Sequence, residues 1–121
     1  MNAIILYAHG ARDPRWATPV RQIADRLAER LPDVHVACAY LEHLPPDLTD
    51  AVAEARRQGA DAVTLVPLFL GRGGHLQRDL PEIVARVEAL HPGLRIRVLP
   101  SLGEVPDVLD GIARWIATAA T

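Results

Sequence analysis

The chain has 121 residues, of which 50% are hydrophobic, and its formal net charge is −2. This size predicts one domain with a sizeable core, and the slightly acidic balance argues against nucleic acid as a partner. The single cysteine, Cys38, excludes an intrachain disulfide framework and a zinc site built on several cysteines.

Apolar runs alternate with amphipathic segments along the whole chain. The continuous apolar run 3–8 predicts a strand buried on both faces, and helical spacing of apolar residues over 16–31 predicts the first helix. Further strands are predicted over 34–40, 62–70 and 95–100, and further helices over 46–59, 79–90 and 105–120. Four strand–helix repeats with short connections predict an α/β three-layer sandwich around an open four-stranded parallel sheet of the flavodoxin-like kind, as a single domain over 1–121.

The sequence also predicts the cellular location of the protein. No apolar run approaches the length of a membrane span, and no basic segment precedes the short run at 3–8. We therefore expect a soluble, cytoplasmic protein with no membrane contact.

Candidate ligands follow the ends of all four predicted strands. His9 follows the first strand, Glu42 and His43 the second, His75 the third and Glu104 the fourth. In open parallel sheets the ligand lies beyond the carboxyl ends of the strands, so these residues should share one edge. Two imidazoles with open positions suit divalent cobalt, nickel, iron or zinc, and His9 and His75 therefore predict a metal site.

Each of these residues also has a purely structural interpretation. A lone loop histidine can simply hydrogen-bond backbone, and for His9 or His75 alone this is about as well supported as metal binding. Glu42 could be a third ligand, a proton acceptor or a solvated acid, and His43 competes with it. Asp79 predicts a helix N-cap, because Glu82 follows three residues later as in a capping box.

The segment "GRGGH" at 71–75 is rich in glycine, which lets a flat ligand approach the backbone closely. It has neither the lysine of a phosphate-binding P-loop nor the spacing of a dinucleotide fingerprint. An arginine flanks each of the two histidines and could hold ligand carboxylates, or could be ordinary solvated charge. The predicted substrate-binding residues are Arg12, Gly71, Arg72, Gly73 and Gly74.

Two of these stretches carry a family resemblance. "HGARDP" at 9–14 is similar to the HGSR-type opening of the class II tetrapyrrole chelatases, and "VPLFLGRGGHLQRDLP" at 66–81 resembles their PLFL-x-x-G-x-H-x-x-x-D-(I/L)-P signature. With the strand order and the late "LG-x-x-P" stretch, the resemblance to the short CbiX/SirB-type sirohydrochlorin chelatases covers most of the chain. It departs at Ala11, where serine is common, which removes a hydroxyl but no metal ligand.

The resemblance implies insertion of a divalent metal into sirohydrochlorin, a tetrapyrrole that carries many carboxylates. Cobalt insertion in cobalamin biosynthesis is the leading expectation, with iron insertion toward sirohaem and nickel insertion as alternatives. His9 and His75 match the metal-binding histidines, and Glu42 is a looser match to an acidic position, so these three are the expected catalytic residues. The metal is then a substrate, no organic cofactor is expected, and a short chain of this kind is expected to form a homodimer.

Two other classes of protein stay open from the residues alone. A metal or tetrapyrrole carrier would use the same site without turnover. A flavodoxin-like signalling domain is disfavoured, because "YAHGARD" has a histidine where a phosphoacceptor receiver needs acidic residues after its first strand.

Overall fold

The computed structural model describes residues 1–71 and 74–121, and for 74–77 it describes the backbone alone. Strands and helices alternate as predicted. The strands are β1 (Asn2–Ala8), β2 (His35–Tyr40), β3 (Ala62–Pro67) and β4 (Arg95–Val98), and the helices are α1 (Thr18–Arg30), α2 (Leu48–Arg57), α3 (Gly74–Leu90) and α4 (Pro106–Ala119). Short 3₁₀ helices, Pro14–Ala17 and Leu102–Glu104, precede α1 and α4. Among the described residues, no helix is long and apolar enough to cross a membrane.

The four strands form one parallel sheet in the order β2-β1-β3-β4. The predicted α/β architecture with a four-stranded parallel sheet is confirmed. Strand β1 lies inside the sheet, which explains its uninterrupted apolar sequence. Because all four strands run in one direction, the residues that follow them meet at a single edge.

The main core lies between the sheet and the helix pair α2 and α3. Its largest fully buried side chains include Ile5, Val52, Leu65, Phe69 and Leu80. The opposite face of the sheet, under α1, has a much smaller core of Ala8, Ala17 and Tyr40 with partly buried neighbours such as Cys38. The two faces of the sheet are therefore covered unequally.

Two predicted boundaries near the glycine-rich segment are wrong. Strand β3 ends at Pro67 rather than at residue 70, because its neighbour β1 ends there: the last ladder contact is the Leu68 amide donating to the Tyr7 carbonyl at 2.8 Å. Helix α3 begins at Gly74 rather than at residue 79, so Asp79 lies inside the helix and does not cap it. Pro81 also lies inside α3, where its missing N–H removes one helical hydrogen bond without ending the helix.

Candidate functional site

The loops after β1 and β2 are joined by backbone hydrogen bonds at the carboxyl edge of the sheet. The Leu41 amide donates to the Ala8 carbonyl at 2.9 Å, and the Glu42 amide donates to the His9 carbonyl at 3.0 Å. His9 and Glu42, far apart in sequence, are thus neighbours through their backbones. The structure brings together the first two of the strand-end positions singled out in the sequence.

Gly10 makes this close approach of the two loops sterically feasible. Its φ of +82° lies in the left-handed region, and a Cβ at this position would be 1.9 Å from the Glu42 carbonyl oxygen. No larger residue fits without moving the backbone. The glycine after His9 is therefore explained by the neighbouring loop.

The imidazole of His9 is exposed and rests on the ring of Phe69. Their ring centroids are 4.4 Å apart at an interplanar angle of 61°, and Phe69 itself is edge-on to Tyr7 at 6.1 Å. Phe69 is only 2% exposed, so it is a fixed support. Since Phe69 belongs to the segment after β3, it places His9 beside the start of the glycine-rich segment.

The segment after β4 packs onto the same support. The Gly103 amide donates to the Phe69 carbonyl at 3.3 Å, and a Cβ on Gly103 would lie 1.5 Å from the Leu70 carbonyl oxygen. Sequence analysis missed the roles of Phe69 and Gly103. The available signal was the glycine of the "LG-x-x-P" stretch, since a glycine just after a strand often marks close backbone approach.

For the second predicted histidine, His75, the structure describes the backbone alone. His75 is the second residue of α3, and its side chain lies outside the described part of the chain, as do Arg72 and Gly73 altogether. Gly74 is the first residue of the helix. Gly71 is exposed, and a Cβ added there would meet nothing within 4 Å, so the described structure leaves open space at this position.

The acidic candidate and its competitor lie side by side on the loop after β2. The Glu42 side chain is 61% exposed, and its Oε1 is 3.8 Å from Nε2 of His43. His43 has a φ of +69°, which is uncommon for a residue with a side chain and fixes a sharp turn. Both groups therefore face solvent close to His9, and the geometry does not separate their roles.

Two arginines near His9 differ in their surroundings. The Arg15 side chain donates three hydrogen bonds to Asp13, from Nη2 to Oδ2 at 2.6 Å, from Nε to Oδ2 at 2.9 Å and from Nε to Oδ1 at 3.1 Å. The hydrogen bonds from the Arg15 side chain and amide lower the pKa of Asp13, so this carboxylate stays ionised and balances the guanidinium. Arg12, the predicted substrate contact, is exposed on the loop between His9 and this pair.

The space beside His9 is small and open. A cavity of about 170 Å³ is lined by Gly10, Trp16, Val20, Tyr40 and Leu68 as well as by His9. Trp16 leaves 73% of its surface exposed at the mouth. Pockets that enclose a drug-sized ligand usually measure about 300–1,000 Å³, so this surface could receive only part of a large flat ligand.

Among the side chains that the structure describes, no three His, Cys, Asp or Glu residues lie close enough to hold a metal ion together. The described part of the site therefore offers the exposed imidazole of His9, with Glu42 joined to it through the backbone. A neutral imidazole can bind a divalent ion through one nitrogen or accept a proton.

Comparisons with known proteins give a family and several relatives for the chain. The model of the CbiX family matches residues 3–119. A sirohydrochlorin cobaltochelatase from Methanocaldococcus jannaschii is 33% identical over 91 residues, which are 75% of this chain and 64% of that protein. This chain thus aligns with less than two thirds of the length of that relative.

Solved structures extend the likeness to the whole fold. The crystal structure of a protein named as a cobalamin (vitamin B12) biosynthesis CbiX protein, from Marinobacter aquaeolei VT8, has a TM-score of 0.88 and 35% identity, with 99% of this chain and 98% of that one covered. Structures of SirB from Bacillus subtilis with Fe³⁺ and with cobalt have TM-scores of 0.80 and 0.75 at 23% and 24% identity. This chain covers 48% and 50% of those chains, so they are about twice as long.

Proposed function

Because the chain belongs to the CbiX family, we propose that it is a sirohydrochlorin cobaltochelatase that inserts Co²⁺ into sirohydrochlorin during cobalamin biosynthesis. The observation that carries this proposal is the exposed imidazole of His9, held by buried Phe69 at the carboxyl edge of the sheet. The cobaltochelatase name of the 33% identical relative supports the choice of metal. The proposed enzyme is a single domain over 1–121 that works in the cytoplasm.

His9 is proposed to hold the incoming ion, together with His75. A neutral imidazole is a borderline ligand that binds Co²⁺ and can release it again. Transfer requires that the pyrrole nitrogens of the macrocycle replace the protein ligands. Two histidines leave most coordination positions of the ion open to those nitrogens, whereas a complete protein cage would retain the metal.

The loop after β2 is proposed to supply the proton acceptor. When a divalent ion enters the macrocycle, two pyrrole N–H protons leave, so charge is conserved. Glu42 lies next to His9 through the backbone hydrogen bond between them, and its carboxylate is mostly exposed. A carboxylate or imidazole at such a position can take a proton directly from the bound ring.

The substrate is proposed to lie across this open edge. The cavity of about 170 Å³ beside His9 can hold only one part of the ring, with Trp16 exposed at its mouth. Arg12 is proposed to bind a substrate carboxylate, together with Arg72 and the glycines at 71, 73 and 74. A second copy of the chain would cover the other face of the ring, which is why we propose a homodimer.

The test is metal insertion into sirohydrochlorin, followed by the absorbance change of the macrocycle, with Co²⁺, Fe²⁺ and Ni²⁺ run in parallel. The expected result is a Co²⁺ rate well above the spontaneous rate and above the other two metals. His9→Ala should lower the rate at limiting metal by roughly 10²-fold or more, since it removes one of the two proposed metal ligands.

His91→Ala is the matched control for this substitution. His91 follows α3 at the opposite edge of the sheet, so its loss should leave insertion unchanged. Tight metal or tetrapyrrole binding without turnover would identify a carrier instead. Full activity of His9→Ala would show that the site is misassigned.

A further inference from the structure

Helix α4 presents an apolar face that the described part of its own chain does not bury. Val108, Leu109, Ile112, Trp115 and Ile116 follow the helical repeat, and they are 37%, 46%, 37%, 69% and 51% exposed. No residue of this helix is buried. An amphipathic helix of this kind normally packs its apolar stripe against another element.

The opposite side of α4 is suited to water. Asp110 and Arg114 form an i,i+4 ion pair at 3.2 Å, and both side chains are more than 70% exposed. Ala117 lies on the same polar side, since it follows Arg114 by three positions. The helix therefore has an apolar inner face and a polar outer face, although nothing in the described part of the chain covers the inner face.

The sheet has an open face of its own on the α1 side. Strand β3 is an interior strand, yet Ala62, Thr64 and Val66 are only partly buried while the residues between them are buried. An interior strand covered on both faces would be buried throughout. A groove of about 500 Å³ runs over this face and is lined in part by Thr64 and by Arg97 of the edge strand.

Helix α1 covers the β1 and β2 part of the same sheet face and is also incompletely covered. It contacts β1 and β2, but it has no buried residue, in contrast to α2, which buries four. Ile23 of α1 is 41% exposed, as expected for an apolar helix position that lacks a neighbour on one side. The open face of β3 and β4 and the flank of α1 thus form one receiving surface.

We infer that α4 of one copy packs onto this receiving surface of a second copy, and that the exchange is reciprocal. The chain carries both halves of the contact, which is the requirement for a two-fold symmetric dimer. The inference rests on the proposed homodimer and specifies how its two copies join.

The size of the contact fits a stable dimer. A helix of 14 residues is about 21 Å long. Two such helices seated on two receiving surfaces would bury on the order of 1,600 Å² in total, which is the standard size of a specific interface. A smaller isolated patch would not be expected to hold two copies together.

The first test compares two substitutions to aspartate on opposite faces of α4 in the full chain. Ile112→Asp places a charge in the centre of the apolar face and should weaken dimerisation by roughly tenfold or more, as loss of a central contact does. Ala117→Asp places the same charge on the outer face and should leave the dimer intact. Sedimentation at micromolar concentration measures both, and circular dichroism checks that each variant is folded.

The second test identifies which copy receives the helix. Cys38→Ser is introduced first, and then Thr64→Cys and Ile112→Cys are combined in one chain and treated with a short bismaleimide. Reciprocal exchange links two chains covalently, whereas a helix folded back on its own sheet forms a link within one chain. The pair Thr64→Cys with Ala117→Cys is the control and should give little product.

The inference is overturned by a monomeric wild-type chain, by an Ile112→Asp variant that stays dimeric, or by a link confined to one chain. A dimer that ignores Ile112→Asp would contradict the helix exchange but leave the proposed dimer standing. Sedimentation and crosslinking measure the mass of the assembly, whereas the absorbance assay measures metal insertion. A failure of the helix exchange can therefore be distinguished from a failure of the proposed chelatase activity.

Discussion

His9 owes its position to a residue of another loop. The imidazole lies against Phe69, which is buried and held in turn by Tyr7 and by the Gly103 amide. A histidine on a loop would otherwise sample many rotamers, and fixing one of them would lower the entropic cost of the metal binding proposed for His9. The placement of this exposed imidazole is therefore a property of the buried aromatic pair.

At the same scale, Gly10 controls the distance between the loops that carry His9 and Glu42. Gly10→Ala should cost more than about 1–2 kcal/mol, because a left-handed φ is unfavourable for alanine and the new methyl group overlaps the Glu42 carbonyl. Insertion activity should fall with it. Urea unfolding and the insertion assay measure the two effects.

Gly59→Ala separates the cost of the left-handed backbone from the cost of steric overlap with the neighbouring loop. Gly59 has a φ of +99°, but an added Cβ would meet nothing within 4 Å. This variant should therefore show the backbone cost alone and keep full activity. Equal losses of stability in the two variants would mean that the loop contact at Gly10 has no steric importance.

Among the elements, β2 carries the titratable groups of the thin core under α1. Burial raises the pKa of the Cys38 thiol, and burial likewise raises the pKa of the Tyr40 hydroxyl. The Cys38 sulfur points to the Val20 carbonyl of α1 at 4.0 Å. The folded state thus favours the protonated form of both groups.

This predicts loss of stability at alkaline pH. A group whose pKa is raised on folding stabilises the protein below its unfolded pKa, about 8.5 for a thiol, and the contribution disappears as pH rises through the folded pKa. The free energy of unfolding should therefore fall above about pH 8.5. Cys38→Ala should make this fall shallower between pH 8.5 and 10, measured by urea unfolding at each pH. An unchanged slope would show that the thiol does not contribute.

The element boundaries show what the sequence could and could not predict. The strands and helices were predictable because their apolar periodicity is strong, as in β1 and α1. The start of α3 was not, since Asp79, Pro81 and Glu82 form a locally good helix start. The helix instead extends back to Gly74, because 75–80 contain no glycine or proline and Pro81 removes only one helical hydrogen bond.

The candidate site was predictable in part for a related reason. The position of His9 and Glu42 at one edge follows from the parallel strand order alone. The support by Phe69 was not predictable, because an apolar residue at the end of an apolar run is usually an ordinary core residue. Contacts between separate loops depend on tertiary packing, which local patterns do not record.

At the scale of the whole molecule, the main feature is that the helices cover the two faces of the sheet unequally. One face has a full core with α2 and α3, and the other has α1 and an open surface beside it. The SirB chains are about twice as long as this one, whereas the Marinobacter aquaeolei protein has nearly the same length. In the homodimer proposed above, a second copy would cover the open surface beside α1.

If the site needs the second copy, activity depends on protein concentration. Specific insertion activity per chain should fall on dilution below the dissociation constant of the dimer, because each copy then loses the cover over the substrate ring. The Ala117→Asp chain should show the same midpoint of this fall as the wild type, and Ile112→Asp should shift it to higher concentration. Constant specific activity across the dissociation range would show that one copy is sufficient.

The two tryptophans have an optical consequence. Trp16 borders the space beside His9 and Trp115 lies on the apolar face of α4, and they are 73% and 69% exposed. An indole in water emits at longer wavelength than one in an apolar contact. Association of two copies would therefore shift the Trp115 emission to the blue, whereas a bound tetrapyrrole would quench Trp16 by energy transfer. The chain thus has one natural fluorophore beside the His9 cavity and one on the apolar face of α4.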